Sequence, residues 1–194
     1  MTMPPRRAAS PTRQPASPVW VFGYGSLMWN PGFAWVDRRP ALLTGWRRAC
    51  CRYSFRHRGT PRLPGLVMGL REGGECLGMA FRPDPRQEAQ ALEYLDAREG
   101  DGYRRLLLTV TLDARSAPSP APAWVYVPNE NHPTYFGQQD PDHVARLVAQ
   151  GTGESGTAFD YLTALMVELE RLGVDEPELR DVLRRAAGLR NGGA

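Results

Sequence analysis

Glu99 is the side chain in this sequence best placed for acid–base chemistry. It closes a helical pattern in which Leu92 and Leu95 lie three apart and Glu88 and Glu99 continue the same row. That spacing points Glu99 along the buried stripe of the helix instead of toward water. A carboxylate at the last turn feels the negative pole of the helix macrodipole, and burial adds desolvation; both raise its pKa. A glutamate tuned in this way suits a general base. The same residues also permit a plainer role, a surface ion pair with Arg98, Arg104 or Arg105, and the pattern alone leaves the two open.

A second stretch is built to receive a ligand. The run Val19-Trp20-Val21-Phe22 is apolar throughout and reads as a strand buried on both faces. Gly23 and Gly25 then flank Tyr24, with Ser26 and Leu27 directly behind. Glycines after a buried strand allow positive φ and close approach of a ligand to the main chain, and successive N–H groups there can converge on a carboxylate. A tight turn that merely reverses the chain would have the same spacing. Ser26 lacks a Gly-x-Ser-x-Gly setting and no histidine stands in obvious relation to it, so substrate contact suits it better than covalent attack. Farther on, Pro128 to Gln139 holds Asn129, Asn131, His132, Tyr135 and Gly137. It is too polar for core and too aromatic for a linker, which makes Tyr135 a candidate to touch ligand. Tyr24 and Tyr103 are either core aromatics or hydroxyl donors. His57, His132 and His143 have no ligand spacing and no CxxC is present, so no metal is expected.

The elements that must position these groups read as follows. Strands are expected at 19–22, 41–55, 66–71, 76–81, 104–112 and 124–127, with Glu72-Gly73-Gly74-Glu75 as a hairpin turn and 115–123 as a loop. A helix is expected from an Asp84 cap, with Pro85 at its first position, to a stop at Gly100 and Gly102. Three more helices follow: from Asp140 to Gln150, from Thr157 to Arg171, and from Asp175 to about Leu189. Asp175 and Glu178 form a capping box, and Gly151 and Gly173 close the two preceding helices. Strands with one inserted helix, then helices, make an α+β fold: a small curled sheet or barrel with helices packed outside.

Composition narrows the function classes. The chain of 194 residues is long enough for one domain, placed at 18–190, behind a Pro/Arg-rich tail at 1–17 that is expected to be disordered. The tail holds Arg6, Arg7 and Arg13 and no acid, which is the whole net charge of +3; the remaining 21 basic and 21 acidic residues balance. The body therefore carries no nucleic-acid footprint. No run of 18 apolar residues is present to span a membrane, and the N-terminus has no apolar signal region. Three cysteines, two of them adjacent at Cys50 and Cys51, make a poor disulfide framework and suit a reducing cytoplasm.

Two long motifs together are more specific than either alone. Val21-Phe22-Gly23-Tyr24-Gly25-Ser26-Leu27 followed by Trp29, and then Tyr94-Leu95-Asp96-Ala97-Arg98-Glu99-Gly100-Asp101-Gly102-Tyr103-Arg104, resemble the ChaC family of glutathione-specific γ-glutamylcyclotransferases. Segments Asn129 to Gly137 and Gly153 to Leu162 are also similar, so the resemblance runs from about residue 19 to 185. One departure is Ala158, where the family usually has Asn. The resemblance implies a γ-glutamylcyclotransferase-like mixed β-barrel with surrounding helices, and a monomer that needs no cofactor and acts on a small γ-glutamyl substrate. It implies Glu99 as the catalytic residue and a substrate-binding set of Val21, Phe22, Gly23, Tyr24, Gly25, Ser26 and Leu27, to which Tyr135 is added. A cyclotransferase for another γ-glutamyl amine, and a non-catalytic binding module on the same fold, remain alternatives at this level.

Overall fold

The structure, a computed structural model, describes residues 18–137 and 140–192; the tail reading for residues 1–17 lies outside them. Strand β1 (Trp20–Gly23) is buried at every position, as its unbroken apolar run requires. It lies between β3 (Gly65–Pro83), to which it is antiparallel, and β5 (Ser119–Pro128), to which it is parallel. With β2 (Trp35–Ser54) and β4 (Tyr103–Leu112) these strands close a barrel in the order β1-β3-β2-β4-β5. The α+β barrel architecture of the sequence reading is the one found. Phe22, Ala41, Leu43, Cys76, Ala80, Val110 and Val125 fill its interior.

The hairpin expected at Glu72–Glu75 does not form. β3 runs straight through it and pairs with β2 from Gly65↔Ser54 to Pro83↔Trp35. Gly73 and Gly74 do adopt positive φ, at +89° and +80°, but opposite Gly45 at +87°, within a register shift between Thr44 and Trp46. The glycines bend a two-stranded ribbon as a bulge instead of ending a strand. β2 accordingly starts at Trp35, earlier than 41. β5 likewise starts at Ser119, inside the expected 115–123 loop. Pro120 and Pro122 face only β4 there, because pairing with β1 begins at Ala123, and proline is tolerated on a strand's unpaired side.

Helix α1 (Glu88–Glu99) begins four residues after Asp84. The Asp84 N–H bonds the Ala34 carbonyl, and its side chain and carbonyl accept from Arg86 and Gln87, so Asp84 caps a turn ahead of the helix. Gly100 ends α1 at φ +61°, as expected for a left-handed stop. Helices α2 (Pro141–Gln150), α3 (Ala158–Arg171) and α4 (Pro177–Asn191) pack on one another and on the barrel. Asp140 and Thr157 cap α2 and α3 through Asp142 and Asp160 N–H. The Asp175–Glu178 box is absent: Asp175 pairs with Arg180, and Glu176 takes the cap position ahead of Pro177. A two-residue hairpin, β6 (Thr152–Gly153) with β7 (Gly156–Thr157), joins α2 to α3.

Candidate active site

A cavity of about 540 Å³ opens where the end of β1, the end of α1 and the far end of the β2–β3 ribbon meet. Its floor is the glycine turn. After Gly23 the chain enters a single 3-10 turn over Ser26–Met28, in which the Met28 N–H bonds the Gly25 carbonyl. Neither glycine is needed for positive φ; Gly25 sits at φ −130°. Close packing requires them instead. A Cβ on Gly23 would stand 2.8 Å from the Leu27 Cβ, and one on Gly25 would stand 2.9 Å from the Tyr161 hydroxyl. Tyr24, Gly25, Ser26 and Leu27 line the cavity. Val21 and Phe22 do not: both are wholly buried beneath the floor, as successive residues of a strand covered on both faces must be.

Glu99 also lines the cavity, with its side chain 17% exposed. Burial raises its pKa above the ordinary value of 4.5, and the neighbouring guanidinium groups of Arg98 and Arg52 oppose that rise. Arg98 stands with its Nε 3.6 Å from Glu99 Oε1. Its other nitrogens reach the glycine turn: Nη2 donates to Ser26 Oγ at 3.0 Å and Nη1 to the Asn30 carbonyl at 2.8 Å. One arginine thus ties the carboxylate's helix to the floor of the cavity.

Three tyrosines form the wall behind Glu99. Tyr24 donates to the Tyr126 carbonyl and Tyr103 to the Met68 carbonyl, both at 2.7 Å, while the Tyr161 hydroxyl accepts the Met68 N–H. Burial holds all three phenols above their usual pKa, so they are neutral. Cys51 is fully buried, and its thiol is pushed up to about 12 by burial, which removes it as a nucleophile at neutral pH. Ser26 is bonded to Arg98, not to a histidine. His57 does meet Ser155 at the exposed rim, 3.0 Å from Nδ1 to Oγ, but this contact pins the β6–β7 hairpin, whose Glu154 and Ser155 N–H groups bond the Arg56 and His57 carbonyls. Among the described residues no group of three His, Cys, Asp or Glu side chains is placed to hold a metal.

Tyr135 lies outside the cavity lining, its hydroxyl donating to Glu130 at 3.1 Å. The loop's contribution is Thr134, which faces the cavity one residue earlier. The sequence pattern also missed Arg52, Arg58, Met68 and Tyr161, all of which line the cavity. Arg52 and Met68 come from strands, Arg58 from the loop after β2 and Tyr161 from α3, and of the four only Tyr161 lies in a segment that carries the resemblance. The departure at Ala158 is a buried first residue of α3, and Thr157 supplies the helix cap.

Residues 19–186 match the ChaC-like protein family. The chain is 36% identical over 171 residues to the glutathione-specific γ-glutamylcyclotransferase of Escherichia coli (strain K12), covering 88% of this chain and 74% of that protein. It is 32% identical over 191 residues to glutathione-specific γ-glutamylcyclotransferase 1 of Rattus norvegicus, covering 93% and 84%. The crystal structure of a γ-glutamyl cyclotransferase specific to glutathione from yeast superimposes with a TM-score of 0.80 at 24% identity, over 90% of this chain and all of that one. No helix among the described residues is long and apolar enough to cross a membrane. Barrel, glycine turn and helix-terminal glutamate together with these matches lead to one conclusion: the chain belongs to the ChaC-like family.

Proposed function

We propose that this protein is a γ-glutamylcyclotransferase that cleaves glutathione to 5-oxoproline and Cys-Gly, with Glu99 as its general acid and base. The observation that carries the reading is a largely buried carboxylate of raised pKa, facing a cavity whose floor is a close-packed glycine turn. The glutathione-specific names of the relatives support the substrate.

The chemistry needs no protein nucleophile. The free α-amine of the γ-glutamyl group attacks its own side-chain amide carbon, a five-membered ring closes, and the C–N bond to cysteine breaks. Folding the substrate back on itself supplies the proximity that a bimolecular attack would lack. Glu99 takes a proton from the α-ammonium and returns it to the departing nitrogen. Its raised pKa narrows the gap between the two tasks. In this reading Tyr24, Gly25, Ser26 and Leu27 receive the γ-glutamyl end, Ser26 being oriented by Arg98. Val21, Phe22 and Gly23 support that turn from beneath, and Tyr135 braces the loop that carries Thr134.

A single domain over residues 18–190 carries the reaction, acting as a monomer. The free thiols Cys50, Cys51 and Cys76 suit a reducing cytoplasm. Incubating the purified protein with glutathione and quantifying 5-oxoproline and Cys-Gly tests the reading. Equimolar release of both is expected. Turnover of other γ-glutamyl amides without turnover of glutathione would transfer the assignment to a different leaving group, and no 5-oxoproline from any γ-glutamyl amide would overturn it.

A further inference from the structure

Two arginines are equally buried on β2, Arg48 and Arg52, each 6% exposed, and their charges are met very differently. Arg48 is fully satisfied: it donates to the Tyr24 and Leu77 carbonyls at 2.7 and 2.6 Å and pairs with Glu176 at 2.5 Å. Arg52 touches no carboxylate. Its Nε and Nη2 both go to one neutral acceptor, Thr134 Oγ1, at 3.2 and 2.6 Å, and its guanidinium lies 4.1 Å over the Tyr103 ring. Among the described residues no ion pair reaches it. Glu99 lies within electrostatic reach but makes no ion pair with it, and a buried cation so weakly compensated is retained where a further anion arrives from elsewhere. Arg52 lines the cavity.

The fold takes several steps to hold Arg52 there. A register shift in β2 between Cys50 and Arg52 leaves Cys51 and Arg52 both buried and sets Arg52 opposite Val67 instead of in line with Arg48 and Cys50. Gly102 clears the space, since a Cβ there would collide with the Arg52 Nη2. Thr134 is itself fixed. Its hydroxyl accepts from Arg52 and lies 2.8 Å from His132 Nδ1, which also accepts the Thr134 N–H, while His132 Nε2 stands 3.3 Å from Asp101. These contacts fix His132 as the Nε2–H tautomer. The polar loop that the sequence could not place is therefore the mount of Arg52.

We infer that Arg52 is a specificity-determining residue that receives the carboxylate of the departing segment of the substrate, the glycine carboxylate when the substrate is glutathione. The other end of the cavity supports this direction. Arg98 is committed to Ser26 and to the Asn30 carbonyl on the γ-glutamyl side, whereas among the described residues the Nη1 of Arg52 has no protein acceptor. Arg52 also enters from β2 and the 129–137 loop, elements that take no part in the glycine turn. The inference rests on the cyclotransferase reading of the site.

The test compares glutathione with its glycinamide analogue, in which the terminal carboxylate is a neutral amide. For the wild-type protein, loss of one charge-assisted contact should lower kcat/KM by roughly 10–100-fold, mostly through KM. Arg52→Met should shrink that discrimination to under about threefold, and Arg52→Lys should restore part of it, since a lysine keeps the charge but not the planar fork. Gly102→Ala, which displaces the guanidinium without removing it, should weaken discrimination in the same direction, so the proposal stays testable should Arg52→Met fail to fold. Calorimetric titration of both ligands into Glu99→Gln protein reads the same discrimination without turnover. A failure of cyclotransfer and a failure of carboxylate recognition are thus seen separately. Equal affinity of the wild-type protein for the two ligands, or undiminished discrimination in folded Arg52→Met, would overturn the inference.

Discussion

Glu99 carries two opposing demands: it must be buried enough to bind a proton more tightly than a free carboxylate, and ionised enough to take one. Burial raises its pKa from 4.5, and Arg98 and Arg52 limit the rise. Glu99→Gln keeps the shape of the side chain but removes the base, so kcat should fall by at least about 10²–10⁴-fold with glutathione still bound. Stopped assays of 5-oxoproline release check this. The same variant makes a prediction on stability. A carboxyl whose folded pKa lies above its unfolded value stabilises the fold while protonated, and that contribution is lost as pH rises through the folded pKa. Glu99→Gln escapes this loss. It should therefore melt higher than wild type at neutral pH, with the advantage vanishing as pH falls toward 4.5. Thermal melts across that window measure it, and a lower melting temperature at neutral pH would show that the Arg98 ion pair outweighs desolvation.

At the level of elements, the glycine turn and α3 are coupled through one hydroxyl. Tyr161, from α3, accepts the Met68 N–H, and its hydroxyl stands 2.9 Å from where a Cβ on Gly25 would be. Gly25→Val should displace the turn and the ring together, and a displacement of that kind near a reacting centre costs about 10²-fold in kcat/KM. Steady-state kinetics on a variant shown by circular dichroism to be folded would decide it; unchanged KM and kcat would remove the turn from the site. The effect should come from crowding, since Gly25 does not use positive φ.

Across the whole molecule, the C-terminal helix is wired to the cavity floor. Arg48, buried in β2, holds the Tyr24 carbonyl with one nitrogen and Glu176, at the start of α4, with another. Glu176→Gln should leave Arg48 without its counter-charge. Breaking a buried pair costs about 3–5 kcal/mol, and because Glu176 is 26% exposed the expected loss is about 2 kcal/mol. For a chain of this size that is a fall of roughly 4–8 °C in Tm. Activity at low temperature should change less than stability, because Tyr24 keeps its own bond to the Tyr126 carbonyl. A differential scanning measurement beside a kinetic one separates the two effects.

Some of this was legible in the amino-acid sequence because the signals are local. The apolar run of β1, the Gly100 stop of α1, and the caps at Asp140 and Thr157 each depend on neighbours within a few residues, and all stand where the sequence puts them. The place of Glu99 on a helix's buried row came from the 3.6-residue period in the same way. Other features depend on which segments meet. Gly73-Gly74 reads as a hairpin until the facing Gly45 makes it a bulge in a 19-residue strand. Tyr135 was the more conspicuous residue of its loop, yet Thr134 faces the cavity while the Tyr135 hydroxyl goes to Glu130. Arg52 itself sits beside a bulge that no local signal in the sequence marks. Only the bulge, the missing Cβ of Gly102 and the hydroxyl of Thr134, brought together from 50 to 82 residues away, make it a buried cation in the cavity. Local propensity fixes elements one at a time, whereas the charge environment of a site is a sum over segments that only folding brings together.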